Sequence, residues 1–91
     1  MSQAIFKYGL CFTLDRQTVM LPKVYQILRF EFQLGHPFIW AITPINSPCV
    51  ERVTLRILGT GQELEEGYKM SYVNTAFAKS GVWHLFKVDD E

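Results

Sequence analysis

Residues 26–34, QILRFEFQL, decide the fold class of this chain, because apolar and polar side chains alternate along the whole stretch. The apolar members are Leu28, Phe30, Phe32 and Leu34, and the polar members are Arg29, Glu31 and Gln33. A period of two places these two sets on opposite faces of a β-strand. A helix over residues 24–34 is the competing interpretation, but the alternation and the Tyr, Ile and Phe content favour the strand.

The same period extends outward from this strand. Gly35-His36-Pro37 interrupts it, and residues 38–42 resume with apolar side chains on both faces, which predicts a hairpin whose second strand is central. Two prolines in residues 43–48 predict a loop. A half-buried strand follows at residues 52–58 and is predicted to end at a turn, Gly59-Thr60-Gly61. Residues 62–67, with Glu63, Glu65 and Glu66, are predicted to form an exposed acidic turn.

Two further hairpins are predicted, one from residues 70–77 and 81–88 and one from residues 4–12 and 17–21. At 91 residues the chain has room for one hydrophobic core, so residues 1–91 are predicted to form a single domain. The expected class is all-β, or β-rich α+β: a small antiparallel sandwich or barrel of about six to seven short strands. The predicted core residues are Leu28, Phe30, Phe32, Phe38, Trp40, Ile42, Val53, Leu55, Ile57, Phe77, Trp83 and Phe86.

Composition narrows the possible partners. Nine Lys and Arg balance nine Asp and Glu, so no overall field attracts nucleic acid or anionic lipid. No apolar stretch is long enough for a membrane-spanning helix, and the N-terminus does not resemble a signal peptide, so we expect a cytoplasmic protein. Aromatic residues make up 14% of the chain, which is generous for so small a core, and predicts that some of them lie at a binding interface.

The reactive side chains do not form a recognisable catalytic set. His36 falls in a turn and His84 in a strand, and neither is paired in sequence with a nucleophile and an orienting acid. Cys11 and Cys49 are far apart in apolar surroundings, which predicts two buried or semi-buried free thiols, with one long-range disulfide as the alternative. We therefore expect no catalytic residues, no metal site and no cofactor.

The turn Gly59-Thr60-Gly61 is the one segment that could present backbone N–H groups to an anion, although the nearby glutamates would repel a phosphate. Arginines and aromatic residues on the strands could instead form a face for a protein or for single-stranded nucleic acid. The candidate partner- or ligand-binding residues are Arg56, Gly59, Thr60, Gly61, Tyr72 and Trp83.

Short motifs along nearly the whole chain match one known pattern. They are Leu21-Pro22-Lys23, Pro37, Trp40-Ala41, Arg52, Arg56, Gly59-Thr60-Gly61, Thr75 and Trp83-His84-Leu85-Phe86. With these motifs the chain resembles a group of small proteins of unknown function that bacteriophages and prophages encode. Two positions depart from that pattern. Val24 stands where a glycine usually follows Leu-Pro-Lys, and Gln62 stands where a histidine often follows Gly-Thr-Gly.

The resemblance implies a phage origin, the cytoplasm of an infected bacterium, and no known enzyme chemistry. Small phage proteins of this kind often disable host systems, as anti-CRISPR and other anti-defence inhibitors do. The expected function is thus a non-enzymatic viral accessory protein that inhibits a host defence or regulatory protein by surface contact, and a homo-oligomer is the expected assembly. The alternatives are a protein that sequesters a nucleotide signal and a single-stranded nucleic-acid-binding module.

Overall fold

The structure is a computed structural model that describes residues 2–64 and 69–89. The described residues contain seven β-strands and no helix, which confirms the predicted all-β class. The strands are β1 (Gln3–Gly9), β2 (Gln17–Pro22), β3 (Gln26–Gln33), β4 (His36–Pro44), β5 (Val50–Gly59), β6 (Lys69–Ala78) and β7 (Gly81–Asp89). Of the predicted acidic turn, Glu65, Glu66 and Gly67 lie outside the described residues.

The strands form two antiparallel sheets that pack as a sandwich. The first sheet has the order β1-β4-β3, and the second has the order β2-β5-β7-β6. Strand β3 of the first sheet lies against β6 of the second and closes one side of the sandwich. The buried side chains form one core cluster: Leu21, Phe30, Ile39, Val53, Leu55, Ile57, Ala76 and Leu85.

Two of the three predicted hairpins are confirmed. Strands β3 and β4 pair across a two-residue turn, Leu34-Gly35, with Gln33 opposite His36. Strand β4 lies between β1 and β3 and is central, as its apolar faces predict. Strands β6 and β7 pair across residues 79–80, and β5 ends at the predicted glycine turn, where Gly61 has a φ of +87°.

The predicted pairing of the first two strands is wrong. Strand β1 pairs with β4 in the first sheet, whereas β2 pairs with β5 in the second. Residues 10–16 therefore cross from one sheet to the other. The Gln17 side chain joins the two ends of this crossover, because its amide donates to the Cys11 carbonyl at 2.7 Å and its Oε1 accepts from the Cys11 N–H at 2.8 Å. Alternation identifies a strand but not its neighbour, which explains the error.

The prediction that Phe38, Trp40 and Ile42 of β4 face the core is also wrong. Ile39 and Ala41 are fully buried, and Phe38, Trp40 and Ile42 lie half-buried on the outer face. Both faces of β4 are apolar, so its own sequence does not distinguish them. On the outer face, the Lys7 ammonium covers the aromatic rings and lies 4.1 Å from the centroid of Phe38.

Two further residues predicted in the core, Leu28 and Phe77, are exposed, and the half-buried Phe86 lies on the outer face of β7. Leu28 sits at a β-bulge between Ile27 and Arg29, which interrupts the alternation and turns Ile27 toward the core instead. Phe77 is 77% exposed because its neighbour Ala76 takes the inward position on β6.

Phe30, Val53, Leu55 and Ile57 are buried as predicted, and Phe32 and Trp83 pack against them while partly exposed. The two cysteines are free as predicted, but both are exposed rather than buried. Cys11 lies in the crossover after β1 has ended, and Cys49 lies just before β5 begins.

Candidate functional site

An apolar groove opens at the end of the sandwich where the β3–β4 and β6–β7 turns lie side by side. Its volume is about 680 Å³. We call it the tip groove and define it by its lining residues, Phe12, Phe32, Leu34, Gly35, Phe77, Ala78, Lys79 and Ser80. Most of the lining is aromatic or aliphatic, and Lys79 and Ser80 add polar groups.

The aromatic side chains of the groove form a stack that links the crossover to both sheets. The Phe12 ring meets Phe32 edge-on at a centroid distance of 5.1 Å and Trp83 at 4.9 Å. The Trp83 indole N–H donates to the Ser80 hydroxyl at 3.1 Å. Edge-to-face contacts at these distances stabilise the ring positions, so this part of the groove is preformed.

Leu34 is the least expected residue of the groove. It has a φ of +51° and the following Gly35 has a φ of +80°, so both turn residues adopt the left-handed backbone of a tight hairpin. Asn, Asp and Gly are favoured at the first of these positions, whereas leucine is strained there. The Leu34 side chain is also 100% exposed, so packing within the chain does not offset the strain.

A chain of hydrogen bonds crosses the outer face of the second sheet. The Thr60 hydroxyl lies 2.9 Å from His84 Nε2, and the Thr75 hydroxyl lies 2.9 Å from His84 Nδ1. Tyr72 extends the chain, with its hydroxyl 2.6 Å from that of Thr75. Within residues 2–64 and 69–89 no carboxylate hydrogen-bonds to the imidazole, so the arrangement lacks the orienting acid of a catalytic triad.

Two backbone donors of the turn Gly59-Thr60-Gly61 are bonded within the protein. The Gly59 N–H donates to the Gln62 side chain at 3.1 Å, and the Thr60 N–H donates to the Val82 carbonyl at 3.2 Å. Gly59 also lies against Trp83, since a Cβ at this position would be 3.0 Å from the indole Cζ3. Close packing therefore explains this glycine without an anion.

Arg56 and Tyr72 flank Phe86 on the outer face of the second sheet. The Arg56 Nε donates to the Leu14 carbonyl at 2.9 Å, which ties the crossover to β5. The Tyr72 ring is 60% exposed and meets Phe86 edge-on at 5.8 Å.

The candidate residues from the sequence thus fall into two groups. Trp83 supports the tip groove through Phe12 and Ser80. Arg56 and Tyr72 lie on the outer face, where the hydrogen-bond chain joins Thr60 to Tyr72. A binding role for these residues stays a prediction.

None of the residues that line the groove was predicted from the sequence as a binding residue, and Phe12, Leu34 and Phe77 are among those missed. For Leu34 a signal existed: Leu-Gly stands between two alternating runs, at a position where a hairpin favours Asn-Gly. A leucine there is a departure that calls for an explanation. For Phe12 and Phe77 the local pattern carries no such signal, because each reads as an ordinary strand residue.

Metal ligands are scattered in the part of the chain that the structure describes, where no group of three or more His, Cys, Asp or Glu side chains could hold an ion. The same residues contain no helix of the length and apolarity needed to cross a membrane.

Comparison with known proteins identifies a family to which the chain is similar. The family model described as "Domain of unknown function (DUF7352)" matches residues 1–91. No curated protein and no solved structure matches the chain. Since the family model covers the whole sequence, the chain belongs to the DUF7352 family of domains of unknown function.

Proposed function

We propose that this chain is a non-enzymatic binding protein that acts on another protein through the tip groove. Leu34 carries the proposal, since it is strained in the backbone and fully exposed at the groove. Natural sequences break local rules mainly at functional sites, where a gain elsewhere compensates the cost. Binding of a partner over Leu34 would supply that gain.

The groove has the features of an interface hot spot. Leu34 and Phe77 are 100% and 77% exposed, and burying such side chains contributes about 1.5–3 kcal/mol each. Single exposed apolar residues are common, but a contiguous apolar patch around a cavity is typical of interaction sites. The stacked Phe12 ring needs no ordering on binding, which lowers the entropic cost of association.

The side chains that line the groove indicate what kind of surface the partner presents to it. Its apolar lining fits a hydrophobic side chain of the partner, and Lys79 can pair with a carboxylate beside it. The resemblance to phage and prophage proteins supports a partner in the bacterial host. We therefore propose a phage-encoded inhibitor that binds a host defence or regulatory protein in the cytoplasm of the infected cell.

The two alternatives from the sequence receive less support. A nucleotide at the glycine turn would need free backbone donors, and those of Gly59 and Thr60 are engaged within the protein. A nucleic-acid face would need unopposed positive charge, whereas Arg29 is paired with Glu31 at 3.0 Å. Neither alternative has an observation that favours it over the groove.

The test uses two matched substitutions, Leu34→Asp and Val24→Asp. Both positions are exposed and apolar with positive φ, at +51° and +65°, and aspartate tolerates that backbone. They differ in place, because Leu34 follows β3 at the groove and Val24 precedes β3 at its other end. We expect Leu34→Asp to abolish binding and Val24→Asp to leave it intact, with Phe77→Asp repeating the first result.

The measurement is quantitative capture from a bacterial host lysate, followed by titration of the purified partner. A partner of the groove is enriched equally by the wild-type and Val24→Asp proteins and lost with Leu34→Asp and Phe77→Asp. Expression in bacteria that carry the partner's defence system should then restore phage growth only for the two proteins that bind. A partner that all four proteins bind equally would overturn the assignment to the groove, and finding no reproducible partner would overturn the proposed function.

A further inference from the structure

Strand β1 presents an open hydrogen-bonding edge. Among the described strands it pairs only with β4, so it forms one border of the first sheet. At the two ends of that pairing, the Leu10 N–H donates to the Pro37 carbonyl and the Ser2 carbonyl accepts from Ile45. Because hydrogen bonding alternates along an antiparallel pair, the even-numbered residues bond to β4. The N–H and C=O groups that point away from the sheet therefore belong to Gln3, Ile5, Lys7 and Gly9.

The other border strands carry features that hinder the addition of a further strand. Strands β3 and β6 each contain a β-bulge, at Leu28 and Val73, and they lie against each other. In β2 the Lys23 N–H donates to Cys49, so the outward-pointing residues are Thr18, Met20 and Pro22, and proline has no N–H. Strand β1 contains neither a bulge nor a proline.

The side chains of β1 add apolar surface to this open edge. Ile5 is 58% exposed and Phe6 is 43% exposed, and they lie on opposite faces of the strand. Phe6 points to the inner side of the sheet, since it is in register with the buried Ala41. Lys7 is the one charged residue of β1, and its ammonium is drawn back over the Phe38 ring and to Gln33. The Lys7 charge therefore does not prevent another strand from approaching this edge.

We propose that β1 pairs antiparallel with β1 of a second copy of this chain, about a two-fold axis, so that the two three-stranded sheets join into one. The register follows from the outward-pointing groups. Only with Phe6 opposite Phe6 of the second copy do all of them find partners, Gln3 with Gly9 and Ile5 with Lys7. A register centred on Lys7 would place two ammonium groups opposite each other, which is unfavourable.

A second copy fits this edge because the edge is complementary to itself. The two-fold axis brings the half-exposed Phe6 rings together and lays each Ile5 beside the aliphatic stem of Lys7. No like charges meet in this register. No residue of β1 lines the tip groove, so the inference is independent of the proposed function, and the dimer carries two grooves.

Light scattering coupled to size-exclusion chromatography tests the dimer across a concentration series. We expect the mass of the wild-type protein to approach twice the 10.6 kDa of one chain. Ile5→Lys places a lysine opposite Lys7 at both symmetry-related positions and should raise the dissociation constant at least about tenfold. Adding Lys7→Glu to that variant makes the facing pairs opposite in charge and should restore the dimer.

Met20→Lys is the matched control, because Met20 is 51% exposed on the other border strand β2, and it should leave the dimer unchanged. A wild-type protein that stays monomeric at every concentration would overturn the proposal. So would an Ile5→Lys variant that folds, by circular dichroism, and dimerises as tightly as the wild type.

Cross-linking tests the register in a background of Cys11→Ser and Cys49→Ser. Residues directly opposite in a non-hydrogen-bonded pair have Cα atoms about 4.5 Å apart, within disulfide range. Phe6→Cys should therefore form a disulfide-linked dimer on oxidation, whereas Tyr8→Cys should not, since Tyr8 lies opposite Ala4 of the second copy. Cross-linking of Tyr8→Cys but not of Phe6→Cys would overturn the register.

Discussion

At the scale of single residues, Val24 shows a conflict between side chain and backbone. It has a φ of +65°, and its side chain is 77% exposed. Left-handed backbone brings Cβ close to the following carbonyl, and a β-branched residue tolerates this least. The pattern that the chain resembles usually has glycine here, which has no Cβ to clash. The backbone thus supplies a physical reason for that glycine.

Val24→Gly should stabilise the protein. Relief of the left-handed strain, about 1–2 kcal/mol, exceeds the entropic cost of glycine, about 0.5–1 kcal/mol. We expect a gain of up to about 1 kcal/mol in the free energy of unfolding, or several degrees in Tm. Chemical and thermal denaturation measure both quantities.

Val50→Gly is the control for this prediction. Val50 is also an exposed valine, at 51%, but it lies in extended backbone at the start of β5. There glycine removes no strain and weakens the strand, so this variant should lose stability. Equal losses for both variants would show that the backbone at Val24 is not strained.

At the scale of elements, the β3–β4 hairpin turn relates stability to the proposed binding site. Leu34 and Gly35 both have positive φ, the geometry in which Asn-Gly is favoured. Leu34→Asn should therefore stabilise the protein by about 1 kcal/mol. The same change removes the fully exposed leucine from the tip groove, so partner binding should weaken.

Opposite changes in stability and binding are the expected result for Leu34→Asn, measured by denaturation and by titration of the captured partner. A variant that loses both would show that Leu34 contributes to folding rather than to binding. A variant that gains stability and keeps full affinity would remove Leu34 from the interface.

At the scale of the whole molecule, Tyr25 and Lys87 link the two sheets. Tyr25 precedes β3 of the first sheet, and Lys87 lies in β7 of the second, with its Nζ 5.7 Å from the tyrosine ring centroid. The hydrogen bond with Tyr25 raises the pKa of Lys87 above its ordinary 10.5, and burial opposes that rise. The Asp89 and Glu51 carboxylates raise the pKa of Lys87 further.

This link should weaken at alkaline pH. The pKa of Lys87 is higher in the folded protein than the 10.5 of the unfolded chain. Protonated Lys87 therefore contributes its full stabilisation at pH values below 10.5, and this contribution is lost as the pH rises through the pKa of the folded protein. The amine is largely exposed, so the effect is small. In Tyr25→Phe the pKa of Lys87 should fall and the alkaline loss of stability should shrink, as measured by NMR titration of the lysine side chain and by unfolding at several pH values.

Tyr72→Phe is the control for the tyrosine change, since the Tyr72 hydroxyl bonds to Thr75. It should leave the titration of Lys87 unchanged. A pKa of Lys87 that stays the same in Tyr25→Phe would contradict the assigned cause.

The local pattern predicts most of the secondary structure. The alternation in residues 26–34 and the glycine at position 35 suffice for β3, its turn and β4, because a pleated strand repeats every two residues. The candidate site was predicted less well. Trp83 supports the groove, but the exposed surface of the groove is formed by Phe77, which was expected in the core, and by Leu34, which was expected on the apolar face of a strand.

The local pattern of residues is enough to predict an all-β chain and the positions of its strands and turns, since these depend on the geometry of residues close together in the chain. Long-range packing sets three other features: β1 and β2 separate into different sheets, Ile39 rather than Trp40 faces the core, and bulges redirect β3 and β6. The groove and the open edge of β1 also depend on which distant strands meet. A repeating local pattern holds no information about that choice.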